Sequence, residues 1–184
     1  MLIDIDGVCL DMTSSIRDEL KVKGIDFNPS DIIRYNFDGI STDIKSEIYK
    51  LFDSKNLYMN QLPYQRVLKA IQLLKDNNIS FRAYTSVSKP YLLDTRVTQC
   101  KALGFKKYSI YTCDKPIIQN YDILIEDCLE NITKWIEAGM SDVKFLLIDQ
   151  PYNQEIHNKD FKYWDKVVRC KDLYDAVKNY VICA

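Results

Sequence analysis

Met1-Leu2-Ile3-Asp4-Ile5-Asp6-Gly7-Val8 places two carboxylates one residue apart at the end of a short apolar run. If this run is a strand, Asp4 and Asp6 emerge at its carboxyl end, where open parallel α/β sheets bind their ligands. Carboxylates held there can gather a hard cation such as magnesium, which prefers oxygen ligands. One of them could also attack phosphorus, as in enzymes that form an aspartyl phosphate. A calcium loop fits poorly. Its glycine belongs at the sixth position of a helix-flanked loop, and Gly7 comes too early, after a strand-like run. The plain alternative is a pair of solvated turn aspartates. The rest of the chain must therefore supply the partners that the chemistry needs.

From about residue 66 onward the sequence alternates between strand-like and helix-like segments. Val67, Leu68, Ile71 and Leu74 share one face of a helix over 66–77. Residues 80–84 read as a strand ending at Thr85, 89–103 as a helix stopped by Gly104, and 108–112 as a strand. Residues 122–125 form a buried strand ending at Glu126-Asp127, and 129–138 a helix with Gly139 at its C-terminal cap. A strand over 143–148, a short one over 166–168 and a closing helix over 171–180 complete the series. Such alternation predicts an α/β fold, a Rossmann-like parallel sheet covered by helices. Residues 12–62 break the rhythm and are too long for a simple crossover. Ser14 or Ser15 could cap one helix there, ending at Gly24, and Ser41 or Thr42 another. The expected organisation is a core of residues 1–11 and 63–184, with a small helical cap, 12–62, inserted after the first strand.

In a parallel sheet the strand ends project from one edge. That edge would unite Asp4 and Asp6 with Thr85-Ser86, with Lys115 in Thr112-Cys113-Asp114-Lys115-Pro116, and with Glu126-Asp127. Phosphoryl transfer needs a nucleophile, a proton donor, a metal and phosphate-binding donors, all prepositioned. This set contains each part. Every member also has an ordinary use. Thr85 and Ser86 could cap a turn, Asp127 with Glu130 resembles a helix cap with its capping-box partner, and Lys115 could be a solvated surface lysine. Their order at successive strand ends favours a shared site.

Composition narrows the possibilities. At 184 residues with 47% hydrophobic content, the chain can form one domain with a sizeable core. A formal net charge of -1 gives no broad basic surface for a nucleic-acid polymer. Six scattered cysteines without a CxxC pair read as reduced thiols in a cytoplasmic protein. A start bearing acids at positions 4 and 6 predicts no signal peptide, and no apolar run is long enough to span a bilayer. His157, the single histidine, excludes a histidine-based metal site and reads as a loop residue.

The ordered motifs resemble those of haloacid-dehalogenase-like phosphatases and, within them, the 5'(3')-deoxyribonucleotidases. Asp4-Ile5-Asp6-Gly7-Val8 is similar to the first motif, Thr85-Ser86 to the second and Asp114-Lys115 to the third. Ile125-Glu126-Asp127 with Glu130-Asn131 is similar to the fourth, and Gln150-Pro151-Tyr152-Asn153 to a late loop of that family. The resemblance implies that Asp4 attacks phosphorus, and that Asp6 protonates the leaving oxygen and then activates water. It implies magnesium on the Asp4 carboxylate, the Asp6 backbone carbonyl and Asp127. It also implies phosphate held by Thr85 and Ser86 and neutralised by Lys115. Three positions depart from the family pattern. Glu126 replaces an aspartate, Met12 a residue that is often aromatic and faces the nucleoside, and Cys113 an arginine of some relatives.

The expected activity is a magnesium-dependent phosphatase for nucleoside monophosphates, with a small phosphate ester, a nucleotide, as its partner. Among the insertion's aromatics, Tyr35 and Phe37 are the best candidates for a base-stacking wall beside Met12, because Asn36 and Asp38 make their stretch loop-like. A sugar phosphatase and a non-catalytic binding protein are the alternatives. Retention of both Asp4 and Asp6 argues against the second.

Overall fold

A computed structural model describes residues 1–183. The strands are β1 (Leu2–Ile3), β2 (Arg82–Val87), β3 (Tyr108–Thr112), β4 (Ile123–Glu126), β5 (Lys144–Ile148) and β6 (Val167–Cys170). They form one parallel sheet in the order β3-β2-β1-β4-β5-β6. The chain steps outward from β1 through β2 to β3, then returns to place β4 on the other side of β1. That reversal opens a crevice at the carboxyl ends of β1 and β4, the usual ligand position in such sheets.

The sheet is apolar on both faces, as a helix-covered parallel sheet must be. Neighbouring residues alternate between two cores. Ile3, Ile125, Leu146 and Ile148 meet α4 (Val67–Asp76), α5 (Leu93–Ala102) and α7 (Leu173–Val177). Leu2, Leu124, Phe145 and Leu147 meet α6 (Leu129–Glu137) through Leu129, Ile132 and Trp135. Segment 12–62 contributes α1 (Met12–Val22), α2 (Thr42–Leu51) and α3 (Lys55–Met59). Ile16, Leu20, Phe27, Ile48, Leu51 and Leu57 gather there into a third cluster, which also contains Val87, Leu92 and Tyr152 of the sheet-bearing part.

Local boundaries differ from the sequence reading for identifiable reasons. Asp11, and not Ser14 or Ser15, caps α1, because its carboxylate accepts the Ser14 amide at 2.9 Å. Thr85 and Ser86 lie inside β2, since pairing with β3 continues to Val87↔Thr112. Cys128 occupies the N-cap of α6, so Asp127 is not the cap, and its carboxylate turns instead to Tyr152. Asp172 caps α7, which widens into a π-helical turn over Lys178–Ile182. Among the described residues no helix is long and apolar enough to cross a membrane, and all six cysteines are free.

Candidate active site

Asp4 extends β1 by one residue, its amide bonded to the Ile125 carbonyl at 3.0 Å. Its carboxylate is 6% exposed at residue level and accepts the Ile5 amide (2.8 Å) and the Lys115 ammonium (2.8 Å). Lys115 also donates to Glu126 at 2.5 Å. Glu126 is saturated, because Asn131 and the amides of Asp127 and Cys128 also donate to it, at 2.8, 3.0 and 3.3 Å. It therefore fixes Lys115 and the β4–α6 turn. The sequence places Glu126 at this sheet edge and marks it as a departure from the family pattern, but gives it no role in the chemistry.

Asp4, Glu126 and Asp127 bring carboxylate oxygens within 4.8 Å of one another, and all three residues are buried. Burial and then the Glu126 charge push the Asp4 carboxyl well above the ordinary carboxylate range, against the pull of Lys115. Burial, then Glu126 and Asp4, raise Asp127 in the same way. For Glu126 burial is again the largest single influence, but the Lys115 charge and the hydrogen bonds the carboxylate accepts together outweigh it and hold the carboxyl down at about 2. Three buried carboxylates thus cluster around a single ammonium contact, which reaches Asp4 and Glu126 but not Asp127. An all-oxygen donor set with excess negative charge suits a hard divalent cation such as magnesium. Asp4 and Asp127 could hold such an ion, because Glu126 already accepts four hydrogen bonds.

Asp127 is oriented from the β5–β6 connection. The Tyr152 hydroxyl donates to its Oδ2, and the Asn153 side chain donates to its backbone carbonyl at 2.9 Å. Gln150 donates to the Gly7 carbonyl at 2.6 Å. Gly7 has φ +72°, and a Cβ there would lie 1.9 Å from Asp127 Oδ2 and 2.6 Å from the Tyr152 hydroxyl. We expect Gly7→Ala to lower the melting temperature and to displace Asp127 and Tyr152. A crystal structure of the variant with both side chains unmoved would contradict this.

Two cavities meet at the site. The polar one, about 250 Å³, is lined by Asp4, Thr85, Ser86, Cys113, Lys115 and Asn131 among others. The apolar one, about 300 Å³, is lined by Met12, Ile16, Tyr35, Phe37, Phe52 and Tyr152 among others. Asp6 and Tyr35 line both. The structure therefore brings Asp4, Asp6, Thr85, Ser86 and Lys115 around one hollow, and Met12, Tyr35 and Phe37 around its neighbour. Tyr35 is half-exposed and sets its ring edge-on to Tyr152 at 5.9 Å. Phe37 is buried and packs against Tyr49 and Phe52, so it builds the insertion's own core as well as the cavity wall. His157 lies on an exposed turn, away from both hollows.

Sequence reasoning missed Arg96 and Gln61, which both bond Asp6. A signal existed for Arg96. It stands four residues after Leu92 and four before Cys100, on the face of α5 where an apolar residue belongs.

No family model matches the sequence, and no curated protein matches it. Solved structures share the fold. A haloacid-dehalogenase-like hydrolase from Streptococcus pneumoniae aligns at TM-score 0.58 and 15% identity, covering 91% of each chain. A hydrolase from Pseudomonas syringae aligns at 0.56 and 13%, covering 97% of this chain and 95% of the other. A protein provisionally named a β-phosphoglucomutase, from Thermotoga maritima, aligns at 0.54 and 12% over the same shares. The chain has the haloacid-dehalogenase-like fold, with acidic, hydroxyl and lysine side chains gathered at the carboxyl edge of its sheet.

Proposed function

We propose that this chain is a magnesium-dependent phosphatase that hydrolyses nucleoside monophosphates through an aspartyl phosphate on Asp4. One observation carries this reading: a polar hollow and an apolar hollow share Asp6 as a common wall. A phosphate ester spanning both would set its bridging oxygen beside that carboxyl. In the first step an Asp4 oxygen bonds to phosphorus, the bond from phosphorus to the leaving oxygen breaks, and Asp6 gives that oxygen its proton. In the second step water attacks phosphorus, Asp6 takes the water's proton, and the bond to Asp4 breaks. Inorganic phosphate and the free carboxylate result. Thr85 and Ser86 would hydrogen-bond phosphate oxygens while Lys115 neutralises them. Asp4, Asp127 and the Asp6 backbone carbonyl would hold magnesium, which supplies charge neutralisation at the phosphoryl group.

The nucleoside preference follows from the second hollow. Its walls are mostly apolar and aromatic, with Thr13 and Asn36 as the neutral polar side chains. A flat base gains from such walls, whereas a sugar needs more hydrogen-bonding partners. Sugar phosphates are the second reading, favoured by the provisional name of the Thermotoga maritima structure. We place the enzyme in a reducing, cytoplasmic compartment, consistent with its six free cysteines. Phosphate release from a panel of nucleoside monophosphates and sugar phosphates, with and without magnesium, decides between the readings. Nucleotides are expected to be the better substrates, and faster release from sugar phosphates would select the alternative.

Tyr35→Ala tests the wall itself. Base stacking is worth about 1–3 kcal/mol in single-strand binders, so nucleotide kcat/KM should fall roughly tenfold. A short alkyl phosphate should be nearly unaffected. Equal losses on both esters would place Tyr35 in a structural role. Phe37→Ala is a poorer probe, because removing a buried phenylalanine costs about 3–5 kcal/mol of stability.

A further inference from the structure

Asp6 is held by two side chains from different parts of the chain. Arg96 Nη2 donates to its Oδ2 at 2.5 Å, and Gln61 Nε2 donates to its Oδ1 at 2.9 Å. Gln61 is in turn held by Gln99, which donates to its Oε1 at 2.9 Å and also to the Tyr58 carbonyl. Arg96 is 0% exposed, its guanidinium lies 5.0 Å from the centre of the Tyr58 ring, and its Nε and Nη1 reach no acceptor. Burying a guanidinium with unpaired N–H groups opposes folding. An apolar side chain of similar volume would fill the same space without that cost. Among the described residues, the one ion pair Arg96 makes is with Asp6. Packing therefore does not account for an arginine here, and its contact with Asp6 does.

We propose that Arg96 is a positioning residue. With Gln61 it fixes the Asp6 carboxyl at the wall between the two hollows, turned toward the bridging oxygen of the ester. This rests on the phosphatase reading above. Arg96 belongs to α5 of the sheet-bearing part, and Gln61 lies just after α3. Segment 12–62 therefore supplies one of the two side chains that hold Asp6, and the sheet-bearing part supplies the other.

The test compares two esters. p-Nitrophenolate departs without a proton, whereas a nucleoside oxygen needs one. Arg96→Met should lower kcat/KM for a nucleoside monophosphate roughly tenfold or more beyond its effect on p-nitrophenyl phosphate, a fraction of what general acid–base catalysis supplies. Arg96→Lys should recover part of that selective loss. Equal losses on the two esters, or no loss, would overturn the assignment, since a merely structural role lowers both alike. Gln61→Ala, which removes the neutral partner, should show the same selectivity in smaller measure and serves if Arg96→Met does not fold. Crystal structures of these variants read the position of Asp6 without turnover. The carboxyl should leave the shared wall, and an unmoved Asp6 would overturn the proposal even if the wild type hydrolysed neither ester, an outcome that would separately refute the phosphatase reading.

Discussion

Asp4→Asn is expected to abolish phosphate release while the protein stays folded. An amide oxygen is a poor nucleophile toward phosphorus, and the neighbouring carboxylate, Asp6, is already engaged by Arg96 and Gln61. Loss of a nucleophile in enzymes that use covalent intermediates costs about 10⁴-fold or more in kcat. The change is nearly isosteric, and the amide oxygen can still accept from the Ile5 amide. Lys115 loses one partner but keeps Glu126. Circular dichroism and melting should therefore match the wild type. Wild-type rates in a folded Asp4→Asn protein would remove Asp4 from the chemistry.

The second large effect concerns the metal. Chelation should stop phosphate release, and added magnesium should restore it. A ligand that binds only the folded state raises stability as its concentration passes its Kd, so magnesium should also raise the melting temperature, without any substrate present. In Asp127→Asn the Tyr152 hydroxyl keeps an acceptor while an anionic ligand is lost. Half-maximal activity and half-maximal thermal stabilisation should both require about tenfold more magnesium. Full activity in excess chelator, or an unchanged magnesium requirement in Asp127→Asn, would contradict the assignment.

Much of this site was legible in the chain because a parallel sheet converts sequence order into spatial order. Polar residues at the ends of apolar runs must meet at one edge, and Asp4, Lys115 and Asp127 do. The alternation of Leu2 with Ile3 and of Phe145 with Leu146 between two cores follows from the same geometry. What stayed hidden depends on tertiary pairing. Tyr152 stands in a loop that the family resemblance marks, but its bond to Asp127 exists only because the β5–β6 connection folds back on β4. Gln61 is an ordinary polar residue until Gln99 orients it toward Asp6. Caps were misplaced where a competing partner claimed the side chain, as Tyr152 does with Asp127. Asn36 and Asp38, the loop-like neighbours of Phe37, mark it as a pocket residue. Its φ of +62° does place it in an irregular segment, but its ring is buried against Tyr49 and Phe52.

The central claim is that Asp4 carries the phosphoryl group. The most direct measurement is to quench the enzyme in acid during turnover of a radiolabelled nucleoside monophosphate with magnesium, then map the label by peptide mass spectrometry. The label is predicted on the N-terminal peptide at Asp4, absent from Asp4→Asn and absent when magnesium is chelated. Phosphate release that proceeds with no label on Asp4, or with label on another residue, would contradict it.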